Sequence, residues 1–163
     1  MTPEEIQEQV NHVKYARSMI PHGAVMGFAM INPEPTKEYG KVLMCSVGMT
    51  ELGLPELIIT GHNEQSIAPI MGAVIGQICA DKLHLEDGMV LDEYSTVRMQ
   101  AHMLTQQQAR VPGVVCLQYY KEQGKWPQFI QLAIADPKNV LPSEQGYDAE
   151  YMYDYGQREY WVA

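Results

Sequence analysis

Val42–His62 reads VLMCSVGMTELGLPELIITGH. Two apolar runs, Val42–Met49 and Pro55–Gly61, flank a turn that carries Gly53 and Pro55. Both runs have the length and β-branched content of strands. The link between them is short enough for a hairpin or a tight corner. A helix-compatible segment follows at once, with Ile67, Ile70, Met71, Val74, Ile75, Ile78 and Cys79 on a wide apolar face. Its start is capped by Asn63 or Ser66, because Pro69 is tolerated in a first helical turn and awkward deeper in. Gly72 and Gly76, four residues apart, predict close packing of this helix on the sheet.

Before this stretch, Thr2-Pro3-Glu4-Glu5 has the chemistry of a helix start: a capping threonine, a proline at the first helical position and a glutamate that completes a capping box. Ile6, Val10, Val13, Arg17 and Ile20 form one stripe, with the Arg17 head at its edge. Pro21 stops the helix. Ala24–Ile31 reads as a strand, and the two prolines in 32–40 make that segment a loop. After the second helix, Thr96–Leu104 and Phe129–Ala135 read as strands, with weaker strand material at Met89–Leu91. Val114–Gln123 reads as a short helix ending at Gly124, on which at most one of Tyr119 and Tyr120 is expected to face the core. The predicted fold class is α+β: an antiparallel or mixed sheet of about five or six strands with two main helices packed on it. Residues 1–148 form one domain, and 149–163 a tyrosine-rich C-terminal extension.

The 163 residues suit a single core. A formal net charge of −9, with lysines and arginines dispersed, argues against a long nucleic acid as partner. Cys45, Cys79 and Cys116 are odd in number, far apart and set in apolar surroundings, so they read as buried, reduced thiols of a cytoplasmic protein. No secretory signal is read at the N-terminus, and the longest apolar run is too short to span a bilayer. No cysteine or histidine spacing calls for a metal, and no motif calls for a cofactor.

His22-Gly23, Cys45-Ser46-Val47-Gly48-Met49-Thr50, Gly53-Leu54-Pro55-Glu56-Leu57-Ile58-Ile59, Gln131-Leu132-Ala133 with Asp136, Leu141-Pro142 and Gly146-Tyr147-Asp148 occur in that order. Together they resemble the DUF4262 family, bacterial and phage-associated domains with no established reaction. The resemblance covers roughly residues 20–148, most of the chain. The family usually has an aromatic where Cys45 stands and a tryptophan where Ser143 stands, which implies a different rim for any shared pocket. The phage association implies sequestration of a bacterial defence signal as one role.

The residues suggest a ligand site made of His22, Ser46, Gly48, Glu56, His62, Arg98 and Tyr119. His22 sits at a helix-to-strand corner, where an imidazole either meets a ligand or bonds the backbone. Ser46-Val47-Gly48 lacks the Gly-x-Ser-x-Gly elbow, so a serine hydrolase is not supported. Glu56 opens an apolar strand and is either a functional acid or the partner of Arg17, Arg98 or Arg110. His62 precedes amides able to receive an anion. Arg98 and Tyr119 are pocket residues by type and context only. The catalytic residues are unknown. Three roles follow: a binding protein for a small, nucleotide-like molecule; an enzyme using His22 and Glu56 for proton transfer; and a homodimeric interaction module docking through the tyrosine-rich tail.

Overall fold

The computed structural model describes residues 1–35, 37–148 and 150–151. The first helix, α1 (Pro3–Ser18), begins as its opening residues dictate. Thr2 Oγ1 accepts from the Glu5 amide at 3.1 Å, and Glu5 accepts from the Thr2 amide at 2.7 Å. That reciprocal pair satisfies donors the helix itself leaves open. Val10 and Val13 form its buried stripe.

The sheet contains β1 (Met26–Ile31), β2 (Val42–Val47), β3 (Glu56–Gly61), β4 (Val90–Leu91), β5 (Met99–Leu104) and β6 (Phe129–Ile134). Their order across the sheet is β1-β2-β3-β6-β5-β4. β3 and β6 run parallel and the other neighbours antiparallel, so the sheet is mixed and the fold α+β. The Gly53–Pro55 turn joins β2 to β3 as an antiparallel pair. Joining β3 to a parallel neighbour needs a long crossover. It is supplied by α2 (Glu64–Cys79), β4, β5 and the short helices α3 (Gln106–Ala109) and α4 (Val114–Lys121).

The period of two along each strand divides the core into two layers. Leu43, Cys45 and Val47 of β2, with Ile58 of β3 and Phe129 of β6, pack under α1 and α4. Met44, Leu57, Ile59, Ile130, Leu132 and Ile134 pack under α2. Each such aliphatic side chain contributes about 1.5–3 kcal/mol by leaving water. The site described below lies in and above the α1–α4 layer.

Several expectations need correcting. Gly72 and Gly76 do not mediate close packing: a Cβ at either would meet nothing within 4 Å. The close approach is at Gly61, where a Cβ would stand 2.2 Å from Ile67 Cγ2. Cys79 is exposed at the last turn of α2, while Cys45 and Cys116 are buried. Tyr119 and Tyr120 are both buried, their rings meeting edge to face at 5.0 Å, because α4 is enclosed by α1 and the sheet together. Residues 96–98 are not strand, and β5 begins at Met99. Of the extension predicted over 149–163, Tyr153, Tyr155, Tyr160 and Trp161 lie outside the described residues.

Candidate functional site

The ladder between β2 and β3 ends at Cys45 opposite Ile58. Beyond it, side chains replace backbone rungs. The Leu57 amide donates to Ser46 Oγ at 2.8 Å, and Ser46 Oγ donates to Glu56 Oε1 at 2.7 Å. Glu56 Oε1 also accepts from the Met49 amide at 3.1 Å. Oε2 accepts from the amide and the hydroxyl of Thr50 at 2.8 and 2.5 Å. The carboxylate thus holds the single helical turn Thr50–Leu52 that follows β2. Glu56 is fully buried, and its two oxygens accept four bonds, about the capacity of a carboxylate. It uses none of the three arginines named as alternatives.

Gly48 lies in the same knot at φ +124°, in the region that favours glycine. A Cβ there would stand 2.9 Å from the Val25 Cα, so β2 leaves the sheet against the chain entering β1. The Gly48 amide donates to the Tyr120 hydroxyl oxygen at 2.8 Å. Burial, then the charge of Glu56, pushes the Tyr120 phenol far above its ordinary value and keeps it neutral. The Cys116 thiol is likewise pushed up, mainly by burial and by its hydrogen bond with Cys45.

Above this knot opens a cleft of about 670 Å³. The end of α1 supplies Lys14 and Arg17, the following corner His22 and Gly23, the Thr50–Leu52 turn Glu51, and α4 with its exit Tyr119, Gln123 and Lys125. Arg17 organises the cleft floor. Its Nη1 and Nη2 donate to the two Glu51 oxygens at 2.8 and 2.7 Å. Nη1 also donates to Tyr119 Oη at 3.2 Å, and Nη2 to the Ala24 carbonyl at 2.9 Å. A planar guanidinium meets a carboxylate edge-on in this way, which lysine cannot do. Glu51 is held below its ordinary range, first by its bond to Arg17, with smaller contributions from Lys125 and His22. Lys14 pairs with Glu122 on the outer side.

The predicted residues therefore fall in four places. Ser46, Gly48 and Glu56 form the buried knot, and His22 and Tyr119 line the cleft. The carboxylate on which His22 acts is Glu51, not Glu56. His62 is exposed, its ring 5.8 Å from that of Tyr39, and the side chain of Asn63 caps α2 by accepting from the Ser66 amide at 2.8 Å. Arg98 Nη2 donates to Glu144 Oε1 at 2.5 Å and to the Asn139 carbonyl at 2.6 Å, clamping the chain that follows β6. Among the described residues no three metal-ligating side chains converge, and no helix is long and apolar enough to cross a membrane.

The family described as a domain of unknown function, DUF4262, matches residues 24–148. The chain belongs to the DUF4262 family. No curated protein and no solved structure matches it. The matched DUF4262 residues contain the whole Ser46–Glu56 knot, whereas Lys14, Arg17 and His22 precede them. The cleft is thus built jointly by the DUF4262 domain and the helix before it. Glu51 and Lys125 were missed in the sequence because nothing local marks them. The one available signal was Arg17, a charged residue on an otherwise apolar stripe.

Proposed function

We propose that this DUF4262 protein binds a small anionic molecule, nucleotide-like in charge and size, in the cleft between α1 and α4. The observation that carries the reading is the gathering of Lys14, Arg17, His22 and Lys125 around one opening in a chain of net charge −9. Lys14, Arg17 and Lys125 outnumber Glu51 and the Glu122 that pairs with Lys14, so the cleft keeps a net positive charge within an acidic protein, and low-dielectric walls focus such a field on an entering anion. The volume is that of a small-molecule site. Arg17 is already committed to Glu51 and Lys14 to Glu122, so Lys125 and His22 are the groups left to meet phosphate oxygens.

Retention is favoured over turnover. Glu56, the acid expected to work with His22, is fully buried with both oxygens bonded, and it has no surface from which to reach a ligand. In a sequestering role, that is sufficient: the protein holds a signalling molecule and lowers its free concentration. Isothermal titration against nucleoside monophosphates, cyclic dinucleotides and pyrophosphate tests the reading. Saturable binding that weakens with added salt and is lost in Lys125→Glu supports it. Silence across the panel from folded protein sinks it.

A further inference from the structure

A second recess, of about 350 Å³, lies on the other side of α4. Its floor is apolar, from Leu104, Ala109, Leu117 and Phe129. Its rim carries Thr105, Gln106, Gln128 and the indole of Trp126, which is 68% exposed. No charged side chain lines it. This contrasts with the neighbouring cleft, whose last lining residue, Lys125, directly precedes Trp126.

We propose that this recess binds an uncharged sugar ring, with Trp126 stacking on its C–H face and the Gln106 and Gln128 amides bonding its hydroxyls. The lining selects the class. An anion or cation entering it would give up water for no opposite charge. A sugar hydroxyl both donates and accepts, and a glutamine amide offers both functions in one fixed fork. The side chains of Gln106 and Gln128 hold no hydrogen bond among the described residues, so they are free to turn to a ligand. Thr105 Oγ1 already accepts from the Gln108 amide at 3.1 Å, which leaves its own proton to donate. An indole that keeps two-thirds of its surface in water gains from covering it with the apolar face of a ring.

The chain has two tryptophans, so Trp161→Phe leaves Trp126 as the sole indole reporter. Trp126 emission in that protein is titrated with glucose, N-acetylglucosamine and maltose, and in parallel with adenine and uracil. A saturable emission change with at least one sugar is expected, weakened about tenfold in Gln128→Ala and in Gln106→Ala. Both glutamines are exposed, so neither variant endangers folding. The proposal is overturned by no saturable change with any sugar, by a response to the bases alone, or by sugar affinity unchanged in both variants. None of these results bears on anion binding in the cleft, which is read by a different ligand panel.

Discussion

Ser46 Oγ donates to Glu56 Oε1 at 2.7 Å while accepting from the Leu57 amide, so one hydroxyl closes the gap where β2 and β3 stop pairing through their backbones. The carboxylate it touches then carries the turn that places Glu51 beside Arg17. The buried knot and the open cleft are in this sense one construction: the first sets the position of the second.

Truncating the carboxylate is therefore expensive. Glu56→Ala leaves the Met49 and Thr50 amides and the Ser46 hydroxyl buried without their acceptor, at about 3–5 kcal/mol in all. Glu56→Gln keeps the shape but turns an NH2 toward two donors, and costs about 1–3 kcal/mol. Urea denaturation measures both. A loss under about 0.5 kcal/mol for the alanine variant would show that the knot is dispensable.

Two glycine substitutions should move stability in opposite directions. Gly48→Ala puts a methyl 2.9 Å from the Val25 Cα at a φ of +124°, and is expected to cost about 2–4 kcal/mol. Gly72→Ala puts the same methyl into open space inside α2, and is expected to stabilise by about 0.5–1 kcal/mol. Thermal melts of the two variants side by side give the answer.

Asp136 governs part of the acid sensitivity. Its carboxyl is held below its ordinary value, first by the Val140 amide and also by those of Asp148 and Lys138. Because the folded value is depressed, the contribution is complete above the unfolded carboxyl pKa of about 3.9 and is lost as pH falls through the folded value. Asp136→Asn should melt lower than the parent protein at neutral pH, and the gap should close below about pH 4. A gap that persists unchanged into acid would place the effect elsewhere.

The thiols should divide by burial. Cys79 is exposed, whereas Cys45 and Cys116 are buried and Cys116 is further shielded by its raised pKa. A chromogenic disulfide reagent should titrate one thiol quickly in native protein and all three after denaturation. Rapid native reaction of Cys116 would contradict the packing of α4 on β2.

The elements that a local pattern specifies were readable in the chain. The capping box announced α1, and the two apolar runs around Gly53 and Pro55 announced β2 and β3. Long-range partnerships were not readable. Nothing near Phe129 says that it will lie parallel to Glu56, and nothing near Glu56 says that its carboxylate will reach back six to ten residues to Thr50, Met49 and Ser46. Tyr119 and Tyr120 were misjudged because helical periodicity assumes one buried face, while α4 is enclosed on two. Gly72 and Gly76 were misjudged because a four-residue spacing records a shared face without saying which way it points. In the cleft, His22 and Tyr119 are residues the sequence singled out by type, but Glu51 gains its place only from Arg17, which arrives from 34 residues before it.

The central claim is that the α1–α4 cleft takes up a small anion. Amide chemical-shift mapping by NMR, with nucleotide and pyrophosphate titrated into labelled protein, tests it residue by residue. The account predicts saturable shifts confined to residues 14–23, 50–52 and 119–125, weakening as salt is added. Shifts that cluster around His62 and Tyr39, or around Arg98, with residues 14–23 unmoved, would contradict it.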